Sequence, residues 1–211
     1  MSFLTGTAHL SHASRLPPGT TRAQALAMLS DHEFFLSCDP HMEKYQLIPP
    51  SDHASMTSPP TIPDHIQSQL RPRFRRRSSK GSNTDAQENE TDEAKEEETM
   101  PICYHVTDIV HAIPAGIWDT KVESTYEFTD IQDGLFVRIR SPLSVVMDTV
   151  WEVREVPAQA GEVAGLELVE NLTIQCSRLL VGIVKGQCEN GWGKIHAKMI
   201  ARLEEEIQKG S

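Results

Sequence analysis

A long apolar stripe near the end of the chain limits the folds that are open to it. Within residues 177–208 the apolar side chains recur every three or four positions, at Leu180, Val184, Cys188, Trp192, Ile195, Met199, Leu203 and Ile207. This interval follows the turn of an α-helix, so the pattern predicts one long amphipathic helix. Such a helix needs an apolar surface of similar length against which it can bury its stripe.

Glycines interrupt the helical pattern at Gly182, Gly186, Gly191 and Gly193. Each glycine inside a helix costs about 1 kcal/mol relative to alanine. One explanation is a kink, a frayed region, or a break near Asn190-Gly191 that splits the helix. The other is that small residues let the helix lie close to a sheet or leave room for a ligand. The sequence leaves both explanations open.

Between residues 102 and 176 the chain shows the features of β-strands instead. In Thr120–Phe128 the residues alternate strictly, so Val122, Ser124 and Tyr126 share one face with the residues at either end. Three later stretches alternate in the same way, and a fourth, at the start, is rich in β-forming residues: Leu135–Arg140, Val145–Val153, Leu166–Cys176 and Ile102–Ile109. Turn residues such as Asp133-Gly134 and Ser141-Pro142 separate these stretches, which predicts an antiparallel sheet.

The first fifty residues predict one strand, two short helices and a second strand. Residues 3–11 read as a strand, and Pro17-Pro18-Gly19 forms a turn. Thr20 or Thr21 can cap a helix that ends near Ser30. A second helix and a strand follow, at His32–Cys38 and Met42–Ile48. Together with the later strands and the terminal helix, these elements predict an α+β fold.

Residues 51–100 differ in composition from the rest of the chain. Serine, proline, aspartate and glutamate dominate, and valine, tryptophan, tyrosine and cysteine are absent. Such a segment buries too little apolar surface to offset the entropy of ordering, so we expect it to be disordered. The expected organisation is a single domain made of residues 1–50 and 101–208, with residues 51–100 as an inserted loop.

The inserted loop changes sign along its length, from basic in Arg71–Lys80 to acidic in Asp85–Glu98. Its Arg-Arg-x-Ser pattern is typical of sites for kinases that prefer basic substrates, which makes Ser78 and Ser79 candidate phosphorylation sites. The basic part could also meet an anionic membrane, and Arg73–Lys80 could serve as a nuclear import signal. Alternatively, the basic and acidic halves simply attract one another in a solvated loop.

The net charge and the numbers and spacing of cysteines and histidines argue against several classes of protein. A net charge of −10 argues against a nucleic-acid partner. The four cysteines have no paired spacing, which indicates reduced thiols and a cytoplasmic location. We expect no metal site, because the nine histidines lack zinc-ligand spacing, and no cofactor, because no glycine-rich phosphate loop is present. We also expect no signal peptide and no membrane span.

The order of the predicted elements resembles the START-like superfamily, also called SRPBCC, which includes polyketide cyclases and lipid-transfer proteins. The resemblance rests on Pro17-Pro18-Gly19 before the first helix, on the alternation from Thr120 to Cys176, and on the terminal helix. Within that superfamily, residues 29–49 and 102–135 resemble one fungal family more closely. No catalytic residues are established for that family, so none is carried over. The resemblance covers residues 1–50 and 101–208.

The resemblance implies a helix-grip fold, in which a curved antiparallel sheet wraps around the long C-terminal helix and encloses a cavity. Such a cavity takes up a hydrophobic small molecule such as a lipid, sterol or polyketide. Among the polar members of the expected lining, Ser124, Tyr126, Thr149 and Glu170 are the strongest ligand contacts, because buried polar groups need partners. The full expected lining is Val122, Ser124, Tyr126, Phe128, Leu135, Val137, Ile139, Met147, Thr149, Trp151, Leu168, Glu170, Leu172, Val184, Cys188, Trp192, Ile195 and Met199.

Three functions follow from this interpretation. The first is non-enzymatic binding of a hydrophobic small molecule between the sheet and the terminal helix. The second is an enzyme of the cyclase or dehydratase type, in which Glu170 transfers protons together with Tyr126 or with a histidine. The third is an adaptor with a filled core that is regulated through residues 51–100. A cavity with a buried, perturbed carboxylate favours the second function, and a fully packed interior favours the third.

Overall fold

The computed structural model describes residues 5–71, 100–111, 119–158 and 164–210. Seven strands and four α-helices follow one another within these ranges, and a short 3₁₀ helix, η1, lies after the second strand. Their bounds are β1 (Thr5–Arg15), α1 (Arg22–Ser30), α2 (His32–Cys38), β2 (Met42–Ile48), η1 (Pro50–Ser55), α3 (Asp64–Gln67), β3 (Ile102–His111), β4 (Asp119–Ile131), β5 (Gly134–Ser141), β6 (Val145–Val156), β7 (Gly165–Ser177) and α4 (Arg178–Gly210).

The strands form one antiparallel sheet in the order β1-β7-β6-β5-β4-β3-β2. Strands β3 to β7 run as a meander, in which each strand pairs with the next. The first strand returns to pair with the last, so that His12 lies opposite Glu170. The structure therefore confirms the predicted α+β class, with its antiparallel sheet and long C-terminal helix.

Side-chain caps fix the two short helices at one end of the sheet. Helix α1 begins at Thr21, whose hydroxyl accepts a hydrogen bond from the Gln24 N–H at 3.2 Å, while the Gln24 side chain accepts from the Thr21 N–H at 2.9 Å. This reciprocal pair is a capping box. Asp31 caps α2 by accepting from the Phe34 N–H at 3.2 Å. Both helices begin and end within a residue of the predicted positions.

Helix α4 is continuous from Arg178 to Gly210, as the apolar stripe predicts, so a break near Asn190-Gly191, one of the explanations left open for its glycines, does not occur. The alternative, close approach to the sheet, does not explain the glycines either. A Cβ atom added at Gly182, Gly186 or Gly193 would meet no described atom within 4 Å. The helix lies across β1 and β7 and continues past α1 and α2. Within the described residues, no helix is both long enough and apolar enough to cross a membrane.

The inner face of the sheet, which faces α4, carries two apolar clusters. The larger joins α1, α2 and the second half of α4 to the centre of the sheet, and it includes Phe128, Trp151 and Met199. The smaller joins the first half of α4 to β1, β6 and β7, around Leu172 and Ile174. Polar side chains from β1, β6 and β7 lie between these clusters.

The outer face of the sheet is covered in part by residues 50–71, which we call the strap. Ile66 of the strap is fully buried against Ile131 and Phe136. Main-chain bonds hold the strap at its end, because the Gln132 N–H donates to the Gln69 carbonyl at 2.8 Å. The expected disorder is therefore wrong for residues 51–71, since a few apolar side chains and main-chain bonds suffice to order them. Residues 72–99 lie outside the described residues.

Candidate functional site

A cavity of about 80 Å³ lies between the inner face of the sheet and the helices. Pockets for drug-sized ligands usually measure about 300–1,000 Å³, so this cavity suits a small molecule or one end of a longer one. Strands β2 to β7 supply its floor, and α2, the turn after α2, and α4 supply its roof. The lining residues are Phe35, Leu36, Asp39, Met42, Val106, Asp108, Tyr126, Ile139, Thr149, Trp151, Glu170 and Ile195.

Glu170 lies at the centre of a buried polar cluster. Its Oε2 atom is 3.0 Å from Nδ1 of His12, on the neighbouring edge strand, and 3.9 Å from Nε2 of His196, on α4. The ring of His12 stacks on Trp192 with centroids 4.5 Å apart. Nδ1 of His196 lies 2.9 Å from the hydroxyl of Ser14. The first strand, the last strand and the terminal helix therefore meet at this carboxylate.

Burial favours the neutral forms of Glu170 and His196 in this cluster. It raises the pKa of Glu170 above its ordinary value, although the neighbouring His12 acts in the opposite direction. Thr149 lies close enough to help lower the pKa of Glu170, but no hydrogen bond of standard geometry joins them. Burial, and next the charge of His12, lower the pKa of His196 to about 4. His196 is therefore a neutral imidazole at neutral pH.

Asp108, on β3, is a second carboxylate in the cavity wall. Its Oδ2 atom accepts a hydrogen bond from the Tyr126 hydroxyl at 3.3 Å. Burial, followed by the nearby charge of Asp39, raises the pKa of Asp108 to about 6, and the bond from Tyr126 only partly opposes this rise. The carboxylate is thus held where water solvates its charge poorly.

Three buried polar atoms on lining residues have no hydrogen-bond partner among the described residues: Asp108 Oδ1, Thr149 Oγ1 and Trp151 Nε1. Thr149 and Trp151 are 4% and 2% exposed, so bulk solvent does not reach them freely. Buried polar groups in native proteins nearly always have a partner, from the protein, from ordered water or from a ligand. These three atoms are packed against other protein atoms, each with less than 1 Å² of accessible surface, so a guest reaches them only if neighbouring side chains move.

Six residues of the predicted lining do line the cavity: Tyr126, Ile139, Thr149, Trp151, Glu170 and Ile195. The larger apolar cluster holds Phe128, Leu135, Val137, Leu168 and Met199 instead. The smaller cluster holds Met147, Leu172, Val184 and Cys188.

The other predicted lining residues lie near the cavity without facing it. Trp192 stacks on His12. The hydroxyl of Ser124 lies 2.7 Å from that of Ser141. Val122 is half-buried, further along the same strand.

Sequence reasoning missed Asp39, Asp108, His12 and His196. The alternation of β3 offered a signal for Asp108, because Tyr104, Val106 and Asp108 share one face. For His12 the predicted strand ended too early, at residue 11, whereas β1 extends to Arg15. His196 follows a member of the helical stripe directly.

The predicted phosphorylation sites Ser78 and Ser79 lie outside the described residues. Arg71, the first residue of the basic cluster, is described, and it donates to the Ser30 hydroxyl at 3.1 Å and to the Ile131 carbonyl at 3.2 Å. This arginine therefore anchors the end of the strap. The kinase, membrane and nuclear-import predictions for Arg71–Lys80 stay predictions. Among the described residues, no group of three or more histidine, cysteine, aspartate or glutamate side chains is arranged to hold a metal ion.

A second, larger depression of about 890 Å³ lies on the outer face, between the strap and strands β2 to β6. Most of its lining residues are exposed, among them Leu47, His105 and Glu123. A molecule bound there would stay in contact with water. The inner cavity, which combines burial with two carboxylates of raised pKa, Asp108 and Glu170, is the stronger candidate site.

Comparison with known proteins places the chain in a family. A search of curated proteins finds no match. A family model described as a domain of unknown function, DUF7053, matches residues 5–205, which include every strand and most of the terminal helix. The chain belongs to the DUF7053 family.

Proposed function

We propose that the chain is a non-enzymatic binding module that holds a small molecule, or one end of a longer amphipathic molecule, in the inner cavity. The observation that supports this most is the buried cavity itself, whose mostly apolar lining carries the carboxylates of Asp39, Asp108 and Glu170.

The chemistry of the lining supports the same proposal. Ligand sites are mostly apolar with a few placed polar groups, and here Phe35, Leu36, Val106 and Ile139 surround the polar atoms. The element order further supports a helix-grip fold of the START-like superfamily as part of this proposal. In that superfamily the space between sheet and terminal helix holds the ligand.

The size of the cavity limits the ligand class. A volume of about 80 Å³ does not hold a whole sterol or lipid. Such a ligand would place only one end in the cavity, or the cavity would have to enlarge. A lipid, sterol or polyketide-like ligand stays a prediction within these limits.

A cavity-filling variant tests the proposal. Ile139 lines the cavity, and Ile139→Phe adds side-chain volume there. The full-length protein and this variant would be screened by ligand-observed NMR against a set of small amphipathic compounds. Leu179→Phe is the matched control, because Leu179 is 88% exposed on α4.

We expect some compounds to bind the natural protein and the Leu179→Phe variant but not the Ile139→Phe variant. Circular dichroism would confirm that both variants are folded. If no compound shows this pattern, the cavity is not a ligand site and the proposal fails. In that case the adaptor function, with its filled core, would be favoured.

A second candidate function is acid–base catalysis of the cyclase or dehydratase type. The observation in its favour is Glu170, a buried carboxylate with a raised pKa that lies between His12 and His196. A buried carboxylate whose pKa is raised is a candidate for proton transfer. Recovery of a bound compound after incubation distinguishes the two functions. A binding module returns the compound unchanged, whereas an enzyme returns a cyclised or dehydrated product, and Glu170→Gln would abolish that conversion.

A further inference from the structure

The two edge strands of the sheet differ in how well they resist pairing with another chain. At one edge, β2 has only seven residues, and its pairing with β3 shifts register between Met42 and Lys44. It also carries charged side chains at Glu43 and Lys44. Short length, irregular pairing and charge are the features that keep an edge strand from pairing with a second sheet. The β2 edge is therefore protected.

At the opposite edge, β1 has none of these features. Its eleven residues pair with β7 without a register shift, from Thr5 opposite Ser177 to Arg15 opposite Glu167. The strand contains no proline, lysine, aspartate or glutamate, and its one arginine is its last residue. Among the described strands, only β7 pairs with it. A long, regular and nearly uncharged edge of this kind is a surface for strand pairing.

One hydrogen bond shows which backbone groups of β1 face outward. The Leu16 N–H donates to the Leu166 carbonyl at 2.9 Å, and these two residues continue the register of β1 and β7. Bonded and non-bonded pairs alternate along an antiparallel ladder, so the even-numbered residues of β1 bond to β7. The odd-numbered residues direct their N–H and C=O groups away from β7. Those that precede Arg15 are Thr5, Thr7, His9, Ser11 and Ala13, and none of them has a main-chain partner on that side among the described residues.

These five residues are arranged symmetrically about His9, which makes β1 complementary to a second copy of itself. In an antiparallel pair with a twofold axis at His9, Thr7 lies opposite Ser11 of the second copy. Thr5 then lies opposite Ala13 of the second copy. Each outward N–H of the five residues meets an outward carbonyl of the other copy, as an antiparallel ladder requires.

The charge of the molecule also favours a second copy at this edge. A net charge of −10 makes two copies repel one another in general. The outer face of the sheet next to the β1 edge is uncharged, because Asn171, Thr173 and Gln175 lie opposite Ser11, His9 and Thr7. Two copies can therefore approach here without placing like charges against each other.

We propose that the chain forms a homodimer in which β1 pairs antiparallel with β1 of a second copy. This pairing joins the two sheets into one continuous sheet and satisfies the outward hydrogen-bonding groups from Thr5 to Ala13. It does not depend on a ligand in the inner cavity, so the dimer and the proposed binding function can be tested separately.

Two double variants of the full-length protein test the pairing. Thr7→Lys with Ser11→Lys sets lysine opposite lysine at two places in the dimer, whereas Thr7→Glu with Ser11→Lys sets glutamate opposite lysine at the same places. Like charges directly opposite one another destabilise a strand pair, and opposite charges stabilise it. Both positions are exposed in the single chain, so both variants should fold, which circular dichroism would confirm. Gln46→Lys is the control, because it adds a lysine at an exposed position of the β2 edge.

Sedimentation velocity over a range of protein concentrations measures the dimer. We expect the natural protein to be a dimer that dissociates on dilution. The variant with two lysines should dimerise about ten-fold more weakly, and the glutamate–lysine variant and Gln46→Lys should dimerise at least as tightly as the natural protein. Amide hydrogen exchange followed by NMR should show slow exchange at Thr7, His9 and Ser11 in the dimer and fast exchange after dilution.

The proposal is overturned if the natural protein is a monomer at every concentration, or if the two double variants dimerise equally tightly. It is also overturned if the three amides exchange equally fast in the monomer and the dimer, since the copies would then meet at another surface. Slow exchange of these amides in a monomer would show that another segment or a bound peptide covers the edge, which contradicts the proposal as well.

Discussion

At the scale of single residues, the fold places carboxylates where their charge is poorly solvated. Asp108 is the clearest case, because burial and Asp39 raise its pKa to about 6, against the opposing bond from Tyr126. Glu170 shares the cavity with it and also has a raised pKa. Retaining such groups costs stability, and this cost is understandable if they serve a ligand.

Asp108→Asn should stabilise the folded protein near neutral pH by up to about 3 kcal/mol, since a pKa raised by about two units corresponds to about 1.4 kcal/mol per unit. The folded protein holds the Asp108 proton more tightly than the unfolded chain, so the contribution of this residue to stability falls as pH rises from about 4 to about 6. Asparagine keeps an oxygen that can accept from Tyr126 but has no charge to bury.

Urea unfolding of the two proteins at several pH values between about 4 and 8 measures this difference. These pH values span the window of about two pH units between the unfolded and folded pKa values of Asp108. The stabilisation should be largest above pH 6 and should vanish toward pH 4, which are about the folded and unfolded pKa values of Asp108. A difference that does not change with pH would contradict the assigned environment of Asp108.

The alternation of the strands predicted the inward residues Tyr126, Thr149, Trp151 and Glu170. It could not predict that His12 lies opposite Glu170, because that contact depends on pairing between the first and last strands of the sheet. Periodicity along one strand identifies a face, whereas pairing between distant strands decides which faces meet. The sequence therefore predicted Glu170 but not its contact with His12, which is only part of the polar cluster.

At the scale of elements, glycines have opposite roles in the hairpin and in the terminal helix. Gly134 starts β5, where a Cβ atom would lie 1.7 Å from the Trp151 carbonyl oxygen. Gly182 lies in α4, where a Cβ atom would meet no described atom within 4 Å. The first is required by close packing, and the second only weakens the helix.

The substitution of each glycine by alanine should therefore have opposite signs. Gly134→Ala should destabilise the protein by about 1–3 kcal/mol, because β5 and β6 must move apart. Gly182→Ala should stabilise it by about 0.5–1 kcal/mol, because alanine favours the helix. Chemical denaturation measures both, and a destabilising Gly182→Ala would show that α4 needs this glycine for packing.

Composition alone did not predict that the strap packs on the sheet. Averaged over residues 51–100, the apolar content is too low for a folded segment, yet Ile62 and Ile66 pack against β4, β5 and β6. These contacts join positions far apart in the sequence. The composition of residues 51–100 cannot show these contacts, because it leaves out the sheet surface against which the strap packs.

Ile66→Ala should destabilise the protein by about 2–5 kcal/mol, since a fully buried side chain would leave a cavity on the outer face. Ile183→Ala is the matched control on α4, where the side chain is 55% exposed. The control should change stability by no more than about 0.5 kcal/mol. Equal effects of the two substitutions in thermal or urea unfolding would show that the strap does not contribute to the core.

At the scale of the whole molecule, both ends of the chain build the site. Strand β1 supplies His12, β7 supplies Glu170, and α4 supplies His196 and Ile195. Helix α2, the turn after it and strands β2 to β6 supply the rest of the cavity. Element order and strand alternation were enough to predict the α+β fold and the long helix. The volume of the cavity was not predictable, because it depends on how large side chains such as Phe128 and Trp151 pack together.

Native mass spectrometry of the full-length protein, after incubation with a cell extract of small molecules, tests the central claim most directly. We predict a one-to-one adduct that survives gentle ionisation, is lost in the Ile139→Phe variant and is kept in the Leu179→Phe variant. Extraction of the adduct would then identify the molecule. A bare protein mass, or an adduct that Ile139→Phe leaves unchanged, would contradict the claim that the inner cavity is a ligand site.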